Sequence, residues 1–349
     1  MIARRCAVLV LLGGSLLVAP ALARAQPAGR VARIGFISPA SASDPRMQGL
    51  LEALRQGLRD LGYVEGRNLA IEPRWADEHY DRLPGLAADL VARRVDVIVA
   101  VAVPAIRAAK EATRTIPIVM AAVVDPVATG LVASLARPGG NVTGLSTMGP
   151  EITAKQVEML KQIVPRAALV AVLWNPANPG NRPQLSATES ASRALGMRLQ
   201  SLEARTPADF DPAFAAMIRQ RADALIVLAD VMLNDNRSRL VELAAANRLP
   251  TVYGQDAGGG GLLSYSANTR DLFRRSAGYV DRILKGARPG DLPVEQANTF
   301  ELVINLKAAR ALGLTVPPSL LHRADHVIEW LSPRGWRREG PRSRRGSRR

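Results

Sequence analysis

The chain has 349 residues, 48% hydrophobic and 22% charged, long enough for one large or two ordinary domains and too apolar for wholesale disorder. Beyond the first 25 residues no apolar run reaches the roughly 18–20 residues of a spanning helix, which excludes a polytopic membrane protein. Of the formal charge of +15, three charges come from residues 1–25 and seven from residues 330–349; no interior basic stripe with interleaved aromatics remains, so no nucleic-acid partner is expected.

Arg4 and Arg5 precede an apolar stretch over 7–19, and Ala23-Arg24-Ala25 is a small-x-small cleavage site. The pattern predicts a signal peptide over 1–25, cleaved near Ala25, and delivery to the periplasm. Cys6 is the sole cysteine, so the mature chain would carry no disulfide, thiol nucleophile or Cys-zinc site.

From residue 31 onward, short β-branched runs that are apolar at nearly every position predict strands buried on both faces at 31–38, 95–101, 116–123, 169–174, 224–228 and 249–253. Helical periodicity marks 46–61, 80–93, 152–164, 187–195, 209–220 and 237–247. The alternation predicts a doubly wound α/β fold with right-handed crossovers. Turn-rich stretches at 138–141 and 148–150 divide it into two similar series. A strand-like piece at 262–265, a helix at 270–285, an extended piece at 292–296 and an extended-then-helical piece at 300–312 are too short for a third lobe and should return to complete the first two. Lobe one is thus expected from 31–146 plus 268–297 and lobe two from 150–264 plus 300–329, with 330–349 a solvated arginine-rich tail.

Chemical motifs are sparse. His322 and His326 have the spacing of one helical face, with Glu329 nearby, but no third ligand is evident and no metal site is assigned. No Gly-x-Ser-x-Gly, Walker or dinucleotide fingerprint occurs, so no catalytic residue and no cofactor is assigned. The glycine run over 258–261 reads as a turn, because no helix follows it.

Binding chemistry remains. In open α/β sheets ligands sit beyond the carboxyl ends of the strands, which here means the loops at 38–44, 75–80, 102–104, 124–126, 175–178 and 230–233. A helix starting near Pro104 would offer free backbone N–H groups to a carboxylate, as would the hydroxyls of Ser38 and Ser41. Asp125 or Asp230 could accept from an ammonium, although each also suits a helix cap or turn. Trp75, Tyr80 and Tyr265 could cover an apolar body, or simply pack in a lobe. Asn175 and Asn178 close the list from the second lobe.

Five blocks then carry a resemblance. They are LGYVEGRNL at 61–69 with YDRLP at 80–84; PIVM at 117–120 leading to DPV at 125–127; GLVASLARPGGNVTG at 130–144; LWNPANP at 173–179; and FELVINLK at 300–307. Together they resemble the ABC transporter substrate-binding protein family with the type I periplasmic-binding fold, over about residues 31–329. The resemblance implies two Rossmann-like lobes with parallel sheets joined by three crossover hinge segments. It implies a small solute such as an amino acid or related carboxylate, and membrane permease and ATPase subunits of an importer as partners to a monomeric receptor. Ala102-Val103-Pro104-Ala105 departs from the family's Gly-Thr-Pro-Ala type of turn, so one hydroxyl near the cleft is missing. A secreted two-lobe transferase-like enzyme and a ligand-sensing domain remain the alternative readings; turnover would mark the first, and a DNA-binding or membrane-anchoring segment the second.

Overall fold

The structure, a computed structural model, describes residues 31–255 and 260–329. The export signal, the basic tail, and Gly258 and Gly259 of the glycine run lie outside the described residues.

The chain opens β1 (Ala32–Ser38), α1 (Pro45–Asp60), β2 (Leu69–Trp75), α2 (Leu83–Ala92), β3 (Val97–Ala100), α3 (Ala102–Ala112), β4 (Ile118–Val123), β5 (Val142–Ser146). It continues with α4 (Gly149–Ile163), β6 (Leu169–Trp174), α5 (Asn181–Ala194), β7 (Arg198–Glu203), α6 (Phe210–Arg219), β8 (Ala224–Val227), α7 (Val231–Asp235), α8 (Arg237–Ala246), β9 (Thr251–Tyr253) and β10 (Leu263–Ala267). It ends with α9 (Thr269–Leu284), β11 (Glu295–Gln296), β12 (Phe300–Asn305), α10 (Leu306–Ala311), α11 (Pro318–Leu321) and β13 (His326–Ile328).

The strands form two sheets, ordered β11-β5-β4-β3-β1-β2 and β13-β12-β10-β9-β8-β6-β7. Each sheet is covered on both faces, so the central strands β3, β4, β6 and β8 are apolar at every position. In the first, α1 and α9 cover one face around Phe36, Leu54 and Phe273, while α2 and α3 cover the other around Leu90, Ile98 and Ile106. In the second, α4, α10 and α11 pack around Leu160, Val172 and Leu320, and α6, α7 and α8 around Phe210, Phe214 and Leu240. The chain passes between the sheets three times: from β5 to α4, from β10 to α9, and from β11 to β12.

Local chemistry explains the boundaries. Asp44 caps α1 by accepting from the amides of Arg46 (2.9 Å) and Met47 (3.2 Å), and Pro45 follows in the first turn, where its missing N–H costs nothing. Gly144 in β5 has φ +136°, and a Cβ there would collide with the Met120 backbone of β4, so only glycine fits.

Three expectations need correction. The second sheet is not wholly parallel, because β12 runs antiparallel to β10. β11 runs parallel to β5 and so ends at the cleft, and only three residues separate it from β12, too few to reach the far end of the second sheet, so β12 enters that sheet from the cleft side. Strands β2, β5, β7 and β13 were absent from the sequence reading; three of them are sheet edges. Finally, His322 follows the short α11 while His326 opens β13, so the two do not share a helical face.

Candidate functional site

The carboxyl ends of the strands in both sheets, β12 and β13 excepted, meet at one interlobe cleft. From the first lobe it is lined by Arg46, Met47 and Leu50 of α1, Val101 to Val103 at the start of α3, and Ala122, Val124 and Thr147. From the second come Asn178, Gly180 and Gln184 around the start of α5, Ala229 to Val231, Gly254 and Gln255. Gly149 and Ile152, with Ser266, Ala267, Thr269 and Phe273, belong to the crossing segments and the helices they lead into. The walls are mostly aliphatic, with a few polar groups, the usual make-up of a small-molecule site.

Asp230 is the centre of the polar part. It is 3% exposed and caps α7, its Oδ1 accepting from the Leu233 amide (3.2 Å) and from Asn175 Nδ2 (3.2 Å). Its Oδ2 accepts from Asn178 Nδ2 (2.9 Å) and from the Tyr80 hydroxyl (3.0 Å), which reaches across from the other lobe. Asn175 and Asn178 are held in turn: Asn175 Oδ1 accepts from the Ala177 amide, Asn178 Oδ1 accepts from the Gly180 amide, and Asn181 ties the Asn175 amide to the Ala229 carbonyl. Burial pushes the Asp230 carboxyl above the usual carboxylate range, and the bonds from Asn178, Asn175, Leu233 and Tyr80 pull it back. Burial and then the Asp230 charge raise the Tyr80 hydroxyl well above the ordinary tyrosine range. All four donors to Asp230 are neutral, and among the described residues no cation pairs with it. A buried carboxylate without a counter-charge is costly; a cationic ligand group would relieve that.

Helix ends supply the opposite polarity. The starts of α3, α4 and α5 all reach the cleft, and none of the three has a side-chain cap. The first N–H groups and the dipoles of α3 and α4 favour an anion; at α5 the Gly180, Asn181 and Arg182 amides are already bonded to Asn178 and Pro179, and Pro183 has no N–H, so only its dipole remains. Backbone strain gathers here as well. Asp77, Glu78, Ala102, Asp125 and Met148 have φ between +32° and +66° and lie in loops after strands of the first sheet. The other non-glycine residues with positive φ, Arg94, Arg221 and Arg248, sit just past helix ends, where the left-handed conformation closes a helix.

The structure brings Tyr80, Asn175, Asn178 and Asp230 together and places other residues of the sequence reading elsewhere. Pro104 is the third residue of α3; the helix meets the cleft through Val101 to Val103. Ser38 Oγ accepts from the Ala40 amide, and Ser41 Oγ pairs with Ser43, so both serve the loop before α1. Asp125 Oδ1 accepts from the Ala128 amide, the turn role. Trp75 packs on Phe36 with ring centroids 5.3 Å apart, and Tyr265 stacks on Phe300 at 5.9 Å. Neither ring lines the cleft: Trp75 packs in the first-lobe core, and Tyr265 packs against the core clusters of both lobes. Sequence reasoning missed Arg46, Gln184, Gln255 and Thr269. Arg46 had a usable signal, since it follows the Asp-Pro cap of a helix that begins at a cleft loop; the others carry none.

This is a two-lobe type I periplasmic-binding fold with its cleft at the strand ends. Residues 33–328 match the family of ABC transporter substrate binding proteins, and the chain belongs to that family. A crystallised conserved domain protein from Vibrio cholerae is 30% identical with a TM-score of 0.81, covering 85% of this chain and all of that one. An ABC domain from Streptococcus pneumonia, solved in complex with L-Trp, is 28% identical with a TM-score of 0.80 and covers 85% of this chain and 99% of its own. A tyrosine-binding protein of Clostridioides difficile is 27% identical over 273 residues, which is 78% of this chain and 77% of that protein. Proteins of this family bind small solutes, not as enzymes, and work with the permease and ATPase subunits of ABC transporters in the periplasm or outside the cell. Among the described residues no helix is long and apolar enough to cross a membrane.

Proposed function

We propose that the protein is the periplasmic receptor of an ABC importer and that its solute is an amino acid or a closely related carboxylate. The observation that carries this reading is Asp230, a buried carboxylate lined into the cleft with only neutral donors around it. An ammonium group is the natural counter-ion. The solute's carboxylate would meet the uncapped helix starts of α3 and α4, and its side chain the aliphatic wall of Met47, Leu50, Val101, Val103, Ile152 and Phe273. The amino-acid ligands named for two relatives, tyrosine and L-Trp, support the class. The solute would stabilise the closed form by touching both lobes. Lobes built from 31–146 plus 268–297 and 150–264 plus 300–329, an exported mature chain beginning near Gln26, and a monomer complete the proposal.

A melting screen against the proteinogenic amino acids, with sugars and nucleosides as controls, tests it. A ligand at 100 times its Kd stabilises the folded state by about 2.7 kcal/mol, so one or two amino acids should raise the melting temperature by several degrees. A response confined to a sugar or nucleoside, or none from any amino acid, would overturn the reading.

A further inference from the structure

Among the described residues and away from the three crossing segments, four side-chain hydrogen bonds and ion pairs that join the lobes gather at one rim of the cleft. Tyr80 donates to Asp230 (3.0 Å), Asn236 Nδ2 donates to Glu78 Oε2 (2.7 Å), and Arg46 Nη2 reaches Asp235 Oδ1 (3.3 Å) while its Nη1 reaches Gln255 Oε1 (3.4 Å). On the second lobe, three of these four land on the seven residues from Asp230 to Asn236. Gln255 is itself tied there, because Asn234 Nδ2 donates to its Oε1 at 2.6 Å. On the first lobe, the partners come from two loops after strands: the left-handed pair Asp77 and Glu78 with the following Tyr80, and the start of α1. Glu78, Asp235 and Asn236 do not line the cleft. The lobes are also closely apposed. A Cβ on Gly180 would come within 2.9 Å of Val103, and the cavity between the lobes is about 70 Å³, room for about five to seven waters at roughly 10–15 Å³ each.

We infer that the 230–236 segment is a closing latch, in which Arg46–Asp235 and Glu78–Asn236 are positioning pairs that set the balance between closed and open forms through their bonds across the rim, Arg46 being the one member that also lines the cleft. The inference rests on the receptor reading for its biological meaning, but the latch acts in the protein without ligand. Asp230 sits at the inner end of the segment and Asn236 at the outer end, so closing the rim also carries the Tyr80 hydroxyl onto the site carboxylate. A solute bound at Asp230 and the latch therefore favour the same arrangement, and each should strengthen the other.

The test is the interlobe distance in ligand-free protein. Cysteines at Arg67 and Gln220, exposed and near the strand ends remote from the cleft, carry spin labels in a full chain with Cys6→Ser. At pH 8, Arg46→Asp and Asp235→Arg alone should each lower the closed-to-open ratio about tenfold or more, the worth of roughly one charged hydrogen bond. The Arg46→Asp/Asp235→Arg pair should restore it. Glu78→Asn, which keeps a residue suited to the left-handed backbone, should shift the distribution in the open direction independently. Melting temperatures measured alongside separate opening from unfolding. Distance distributions of both single charge variants and Glu78→Asn that match the parent, or a charge-swapped pair that stays as open as its singles, would overturn the latch. Failure of every amino acid in the melting screen would sink the solute assignment and leave these distances to judge the latch alone.

Discussion

The two lobes share a fold and divide the work of the site. The second lobe contributes a prebuilt polar cluster: Asn175, Asn178 and Asp230 are all buried, and each is fixed by bonds within that lobe. The first lobe contributes an aliphatic wall, the uncapped start of α3, and three arms, Arg46, Glu78 and Tyr80, whose partners lie across the cleft. Strain follows the same division in part: the left-handed residues near the cleft all come after strands of the first sheet, with Ala102 opening α3 and Met148 in the segment that crosses to α4. In the proposed receptor the second lobe would hold recognition in place and the first lobe would close on it.

Core substitutions should have the largest effect on stability and leave this division intact. Leu54→Ala in the first lobe and Phe210→Ala in the second, both fully buried, should cost about 2–5 and 3–5 kcal/mol respectively. Denaturant unfolding measures this. Neither should change solute affinity under conditions where the protein is folded; a large affinity loss in either would mean the core and the cleft are coupled.

Within the cluster, Asn178→Ala leaves the buried Asp230 short of one donor and releases the Gly180 amide, so it should cost roughly 1.5–3 kcal/mol of stability and weaken solute binding by letting the carboxylate shift. Tyr80→Phe should act more on dissociation than on association, since its bond to Asp230 forms only when the lobes meet. Stopped-flow rates separate the two, and an equal loss in both variants' association rates would erase the distinction between a recognising and a closing lobe.

The rim gives a pH dependence with a definite sign. Burial pushes the Asp235 carboxyl up to about 7; Arg46 opposes the rise and Asp44 adds to it. A carboxyl whose folded pKa exceeds its unfolded value of about 3.9 binds more protons when folded between those two values. Its contribution is therefore fully present below pH 4 and is lost as pH rises toward and through 7. Unfolding free energy measured from pH 5 to 8 should show this downward component, and Asp235→Asn should remove it. An unchanged slope in Asp235→Asn would assign the titration to another group.

The smallest effect is expected at Ser41. Its hydroxyl serves only the turn with Ser43, so Ser41→Ala should leave affinity within about twofold to threefold, near the limit of what a surface substitution does.

What the sequence disclosed follows from these physical differences. The interior strands β1, β3, β4, β6, β8 and β9 lie between helices on both faces, so unbroken apolar runs reveal them. Edge strands β2 and β7 carry Glu72, Pro73, Arg74, Arg198 and Glu203, which an edge tolerates and an interior strand does not; a rule based on apolar runs passes over them. β5 was hidden because Gly144 and the preceding turn look like a linker, while its real constraint is the close Met120 backbone. The site divided similarly. Asn175, Asn178 and Asp230 stand right after strands β6 and β8, where strand-end reasoning points directly. Trp75 and Tyr265 follow the same rule by position, yet Trp75, on the missed strand β2, packs on Phe36, and Tyr265 stacks on Phe300 against the cores of both lobes. Arg46 and Glu78 act through partners about 160 to 190 residues away, a pairing that only the closed fold creates.

The most direct test of the account is calorimetric titration of the parent and Asp230→Asn with whichever amino acid the melting screen selects. The amide keeps the shape and one acceptor but removes the buried charge. The account predicts binding by the parent and an affinity at least about tenfold lower in Asp230→Asn, with both proteins folded. Equal affinity in the two proteins would contradict the claim that a buried, otherwise unpaired carboxylate holds the solute.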